Sequence, residues 1–210
     1  GWLWEFRPWI SGGLAFRTKT YMTHFDKYKG VISPHGRADL PATFFGGIAV
    51  KPFVQTTIAL DIGRIYNGNV DTFANSPYIF NATLTPVNPH GASNGAGFGW
   101  KSSTVYKIGI AQDIADSLTI RAGYNYGQLP WDVNIPNTNA VYGTWILPTT
   151  IRHHLTLGAS LELGAQILNA AFVYGFKHSV HGPIHPIAGG GNLETSTDLI
   201  TLQIGFSKVW

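Results

Sequence analysis

Four basic side chains lie on segments otherwise made of apolar and small polar residues: Arg17, Lys19, Lys107 and Arg121. A cation held away from bulk water forms strong charge-assisted hydrogen bonds with a carboxylate. These four cations could therefore hold the carboxylate head group of a ligand, with Asp61 and Glu162 as counter-ions. The same charges could instead pair with one another and stabilise the interior of the fold, and the sequence leaves both interpretations open.

Aromatic side chains in segments rich in Gly, Pro and Asn are the second candidate binding feature. They are Phe25, Tyr28, Phe98, Trp100, Trp131, Tyr142 and Trp145. Contiguous exposed apolar surface usually marks a binding site, so these residues could capture a hydrophobic ligand. Alternatively, they pack the loops or anchor the protein at a membrane interface. The best single candidate is Trp100, which shares a Gly-rich stretch with Phe98.

Metal, cofactor and enzyme chemistry are disfavoured. The chain has no Cys, which excludes disulfides, thiolate metal sites and a Cys nucleophile. His178, His181 and His185 are spaced like metal ligands, but intervening Gly and Pro disfavour a helix that would place them on one face. Ser160 and His154 lie about 20 Å apart along one predicted strand, too far for a catalytic pair. We expect no cofactor, no metal and no enzymatic activity.

The composition excludes several protein classes. Of the 210 residues, 12% are charged and 13% are aromatic, which is too apolar for an intrinsically disordered chain. No apolar run reaches the roughly 18 residues that a transmembrane helix needs. The net charge of +3 is spread thinly, so no nucleic-acid partner is expected. The start has neither an initiator Met nor a signal-peptide pattern, which suggests a processed or trimmed chain.

The dominant hydrophobic period is two residues, as in half-buried β-strands. In one segment Ile200, Leu202, Ile204 and Phe206 alternate with small or polar residues. Similar alternation predicts about eight strands, each close to the 9–11 residues that cross a bilayer at a tilt. These lie within residues 9–22, 41–51, 54–63, 106–111, 117–126, 154–162, 168–176 and 197–210.

Loop lengths and face chemistry both favour a membrane barrel. Short turns alternate with long polar loops at about 23–40, 67–102, 127–149 and 178–196, the layout of outer-membrane barrels. An even strand count would place both termini on the periplasmic side. The apolar face carries aromatics near both strand ends, as in two membrane girdles, whereas the opposite face is small and polar. The aromatic C-terminal Trp210 is also typical of such barrels. A soluble β-sandwich or lipocalin-like barrel is the alternative.

Ordered motifs carry a family resemblance. They are FRTKT at 16–20, GAGFGWK at 95–101, TVYKIG at 104–109, LTIRAGY at 118–124 and HLTLGA at 154–159. Their order and spacing resemble the C-terminal part of the FadL/TodX family of outer-membrane hydrophobic-compound transporters. The resemblance implies a fourteen-stranded barrel that passes long-chain fatty acids or aromatic hydrocarbons. It also implies an N-terminal hatch and early strands, which have no counterpart in this sequence.

We therefore predict an all-β fold: an antiparallel transmembrane β-barrel with about eight strands, part of a larger, fourteen-stranded barrel. Residues 1–210 would form a single barrel domain or the C-terminal portion of one. The expected location is the outer membrane of a Gram-negative bacterium. Expected partners are membrane lipid or detergent, lipopolysaccharide and a hydrophobic small molecule taken up by passive diffusion. The alternative is a small self-closed structural or surface-interaction barrel without transport.

Overall fold

The computed structural model describes residues 1–77, 85, 87–130, 149–183 and 190–208. Nine strands form one sheet in the order β1 to β9, and each strand is antiparallel to the next. The strands are β1 (Trp2–Arg7), β2 (Ile10–Arg17), β3 (Thr43–Phe53), β4 (Thr56–Ile65), β5 (Ser103–Ala115), β6 (Leu118–Gly127), β7 (His153–Leu163), β8 (Gln166–Pro183) and β9 (Asn192–Lys208). A four-residue helix, α1 (Asp71–Ala74), and 3₁₀ turns at Asp26–Tyr28 and Asn67–Asn69 lie in the loops. No helix in these residues is long and apolar enough to span a membrane.

The predicted all-β antiparallel fold is confirmed, but the strand count differs by one. The additional strand is β1, which pairs with β2 through Trp2↔Leu14 and Leu3↔Gly13. Its alternation is masked in the sequence because Leu3, between two tryptophans, is also apolar. With nine strands, β1 starts at the end of the sheet that carries the long loops, whereas β9 ends at the short-turn end. The expectation that both termini lie on one side is therefore wrong.

The apolar face of the sheet is exposed. Ile200, Leu202 and Ile204 of β9 are 67%, 70% and 74% exposed, and their register partners in β8 are Tyr174, Phe172 and Ala170. A soluble sandwich would bury such side chains in a dry core. The exposure instead fits a face that contacts hydrocarbon, as in the strands of outer-membrane barrels.

The sheet is not closed among the described residues. β1 pairs with β2 alone and β9 with β8 alone, so both remain at the edges. Residues 10–17 pair with β1 and β3, not with β9. Since lipid cannot satisfy free backbone groups, an edge of this kind requires further strands in a membrane. This arrangement supports a portion of a larger barrel over self-closure.

The most buried part of the described chain lies in two long loops, residues 18–42 and the described part of 66–102. Val70, Ala96 and Ser33 are 2%, 7% and 1% exposed. The Thr72 hydroxyl donates to the Ser33 carbonyl at 2.8 Å, and the Gly91 amide donates to the Ser33 hydroxyl at 3.0 Å. The two loops therefore form one packed unit above the sheet.

Candidate functional site

A cavity of about 710 Å³ lies against the polar face of strands β4 to β8. One row of its lining crosses four neighbouring strands, because Asp61, Lys107, Asn125 and His154 are successive Cα partners. Small residues such as Gly109 occupy the adjacent positions and leave the space open. The alternation predicted from the sequence thus places a row of polar side chains in a cavity that is otherwise lined largely by small residues.

Lys107 lies at the centre of this row without a carboxylate partner. Asp61 is directly opposite it in the register, but neither forms an ion pair with another described residue. The Lys107 ammonium instead lies 5.1 Å from the centroid of the Phe45 ring, a cation–π contact. A cation held by an aromatic ring alone keeps its hydrogen-bond donors available for a ligand anion.

Arg121 lies deeper in the same cavity, towards the short turns. Its Nη1 donates to the Ser160 hydroxyl at 2.6 Å, and that hydroxyl donates to Asn169 Oδ1 at 2.6 Å. Arg121 pairs with Ala111, four residues along β5 from Lys107, so the two cations lie about 14 Å apart. The structure brings Lys107 and Arg121 into one cavity at two depths.

Arg17 and Lys19 lie outside this cavity, at the loop end of β2. Arg17 donates to the Pro41 carbonyl at 3.4 Å. The Lys19 ammonium lies 3.3 Å from Asp39 and donates to the Asn69 carbonyl at 3.1 Å. Both contacts join the loops to the sheet at the loop end of β2.

Asp39 is the ionic centre of the loop unit. It accepts hydrogen bonds from the Met22 amide at 2.9 Å and from Arg37 Nε at 3.0 Å, in addition to its pairing with Lys19. Burial alone would raise the pKa of this carboxyl. The contacts with Met22, Arg37 and Lys19 together outweigh burial and lower the pKa below its ordinary value.

Phe98 and Trp100 form an aromatic cluster with Phe73 in the second long loop. The Phe73 and Trp100 rings stack at 5.0 Å with an interplanar angle of 9°, and Phe98 lies 5.5 Å from Trp100. All three residues are half-buried, so part of each ring remains accessible. Gly97 is required here, because a Cβ would lie 2.7 Å from the Thr72 carbonyl oxygen. The cluster combines internal packing with an accessible aromatic surface.

Other predicted features are placed as follows. Trp131, Tyr142, Trp145, His185 and Trp210 lie outside the described residues. No cluster of three potential metal ligands occurs in the part of the chain that the structure describes. Sequence reasoning missed Asn125, which lines the cavity, and Phe45, whose ring contacts Lys107. Their alternation with apolar neighbours was visible, but their strand partners were not.

Comparison with known proteins gives structural neighbours only. No protein-family model matches the chain, and no curated protein matches it. The toluene transporter TodX of P. putida superimposes with a TM-score of 0.62 and 19% identity over 99% of this chain and 47% of its own. A Pseudomonas aeruginosa FadL homologue gives 0.62 and 14% over 97% and 49%, and the Ralstonia pickettii toluene transporter TbuX gives 0.52 and 14% over 99% and 46%.

The likenesses cover only part of each neighbour. The chain spans about half the length of the solved structures that it matches. At these identities the likeness shows the fold: the chain has a partial FadL-like fold, as its sequence motifs predicted.

Proposed function

We propose that this chain forms part of an outer-membrane barrel that takes up hydrophobic compounds, long-chain fatty acids or aromatic hydrocarbons, by passive diffusion. The supporting observation is the difference between the two faces of the sheet. One face is apolar, aromatic and exposed, whereas the other bounds a 710 Å³ cavity with two cations that lack carboxylate partners among the described residues. The transporter neighbours favour the same class of function.

The path begins at the aromatic cluster of Phe73, Phe98 and Trp100. Transfer of a ligand from water to such a surface is favourable by about 0.8 kcal/mol per buried methylene. The cavity then offers small walls for a hydrocarbon chain and two cationic positions for a carboxylate. Movement between the positions requires no covalent step and no cofactor, because a concentration gradient suffices.

Lys107 and Arg121 would select for a carboxylate rather than for hydrocarbon in general. A test compares uptake of a labelled long-chain fatty acid and of toluene by cells that depend on this barrel. We expect the variants Lys107→Gln and Arg121→Gln to lower fatty-acid uptake about tenfold and to leave toluene uptake unchanged. Lys51→Gln, the same charge change near the short-turn end of β3, is the matched control.

Carboxylate binding by Lys107 and Arg121 and transport by the barrel can be contradicted separately. If the variants reduce uptake of both compounds equally, the cations support the barrel and do not bind carboxylate. If cells with the unaltered barrel take up neither compound faster than cells without it, transport is wrong. The non-transporting, structural barrel would then remain.

A further inference from the structure

Two arginines lie at the loop end of the apolar face, away from the cavity. Arg64 of β4 lies in the register row that pairs it with Phe44 and Thr104, and its Nη1 donates to the Thr104 hydroxyl at 2.7 Å. Arg152 immediately precedes β7. It donates to the Tyr126 hydroxyl, and its guanidinium carbon lies 5.1 Å from the centroid of the Tyr126 ring.

Neither guanidinium has an acidic partner among the described residues. Arg152 Nε is buried without a hydrogen-bond partner, and so is the hydroxyl of the fully buried Thr150 nearby in sequence. Arg64 is held by a threonine and Arg152 by a tyrosine, so each keeps its remaining Nη donors for an external anion. As far as residues 1–77, 85, 87–130, 149–183 and 190–208 show, the rim of the apolar face therefore has no compensating anion.

A row of aromatic rings lies directly below this rim. Tyr106 and Tyr126 are 6.2 Å apart, His153 lies 5.1 Å from Tyr126, and the Tyr124 hydroxyl is 2.5 Å from His153 Nδ1. Tyr106, Tyr124 and Tyr126 are paired on the apolar face through the registers of β5, β6 and β7. Tyrosines at this position mark the membrane–water interface, where lipid head groups lie.

The same tyrosines form one wall of a groove of about 830 Å³ on the apolar face. The opposite wall is formed by Trp2, Trp4 and Phe6 of β1, and the floor passes over Gly12 and Gly46. Residues 12 and 46 face outward but have no side chain. The surface is therefore lower at these two positions than at neighbouring positions with bulky side chains. The groove is apolar and crosses strands β1 to β6, and its loop end adjoins the rim, because Phe44 of its lining is the register partner of Arg64.

We propose that the rim and the groove together bind an anionic lipid of the outer leaflet, with phosphate at Arg64 and Arg152 and an acyl chain in the groove. Three strand spacings separate the two arginines, about 14 Å, so each takes a separate phosphate. Arginine suits this role because its planar fork matches phosphate geometry. The site goes beyond uptake: it needs the sheet to span the outer membrane, but it does not need transport.

The test measures lipid binding by native mass spectrometry of the detergent-solubilised full chain. The probes are bis-phosphorylated lipid A, phosphate-free lipid A and inorganic phosphate. We expect the unaltered protein to bind the bis-phosphorylated form about tenfold more tightly than the phosphate-free form. Millimolar inorganic phosphate should not displace it, because free phosphate does not fill the groove.

The variants separate the two halves of the site. Arg64→Gln with Arg152→Gln should lower affinity for the bis-phosphorylated lipid about tenfold and leave affinity for the phosphate-free lipid unchanged. Lys51→Gln, at the other end of the sheet, is the matched control and should bind as the unaltered protein does. Gly46→Leu should weaken binding of both lipids several-fold. The heat-dependent gel shift typical of folded barrels checks that each variant is folded, and Arg152→Gln alone is the fallback if the pair is not.

Equal affinity of the unaltered protein for both lipids, or no loss in a folded arginine variant, would overturn the proposal. Displacement by inorganic phosphate would assign the rim to the free anion and also overturn it. Uptake assays on the same variants separate this inference from transport. Lost lipid binding with normal uptake supports a distinct lipid site, whereas absent uptake with normal lipid binding contradicts the proposed function alone.

Discussion

The ring of Phe45 lies over Gly63, its register partner on β4, and occupies the position that a Cβ on residue 63 would need. The same ring holds the Lys107 ammonium. The absence of a side chain at Gly63 thus sets the position of a cation two strands from Phe45. Glycine at residue 63 is therefore required for the contact between Phe45 and Lys107.

We therefore predict that Gly63→Ala displaces the Phe45 ring and destabilises the barrel by about 1–3 kcal/mol, the usual cost of overpacking. The measurement is the thermal unfolding midpoint in detergent. Gly109→Ala, on the same face of the next strand, is the control, because its Cβ would lie 3.7 Å from the nearest atom. Equal midpoints for the two variants would show that Phe45 moves aside without cost.

Trp100 provides the second prediction. A ligand ring stacked on Trp100 would contribute about 0.5–1.5 kcal/mol beyond its buried area. Trp100→Ala should therefore weaken capture of an aromatic ligand by about two- to tenfold. The measurement is the initial rate of uptake at low ligand concentration. Trp100→Phe retains the stacking on Phe73 and should retain most of the rate. If the alanine variant takes up ligand normally but its loops become sensitive to protease, Trp100 packs the loop and does not capture ligand.

Asp39 should make the loop unit sensitive to acid. Its pKa is lower in the folded protein than the ordinary value of 3.8, so the ionised carboxylate stabilises the fold above that value. The stabilisation is lost as the pH falls through the lower, folded pKa. We expect pepsin cleavage within residues 18–42 to rise as the pH is lowered below about 4.

Asp39→Asn should remove this pH dependence, because an amide cannot pair ionically with Lys19 and Arg37. Its loop should be cleaved readily across the whole acid range. Asp26→Asn, in the same loop and exposed, should keep the profile of the unaltered protein. A profile that is unchanged in Asp39→Asn would assign the acid response to another group.

The fold was predictable because alternation is a local property. The alternation within residues 118–127 predicts both a strand and which of its residues share a face. The observed registers then pair the strands in chain order. β1 was missed because Leu3 breaks the contrast between its faces. Nothing local could reveal the cavity partners, because Lys107 contacts Phe45 across two strand spacings. Lys19 and Lys107 looked alike in sequence, yet only the second faces the cavity, since the strand carrying the first ends at Arg17.

The edges of the sheet give the last prediction. Because each of the nine strands is antiparallel to the next, β1 and β9 run in the same direction. A direct seam between them would be parallel, and an all-antiparallel closure requires an odd number of further strands. The chain has no native Cys, so introduced pairs report contacts cleanly. Leu3→Cys with Gly13→Cys, register partners on β1 and β2, should form a disulfide in the membrane.

Leu3→Cys with Thr201→Cys combines β1 and β9 on the polar face. We expect this pair not to form a disulfide, because β1 and β9 are separate edges of the sheet. An efficient bond in that pair would show that the nine strands close on themselves. A barrel that small has its interior filled by side chains, leaving little room for a hydrocarbon to pass. The 710 Å³ cavity would then have to shrink as the sheet closed, and Lys107 and Arg121 would be driven towards Asp61 and Glu162 as structural ion pairs. If the sheet does not close in this way, the cavity stays open and Lys107 and Arg121 remain available to a ligand.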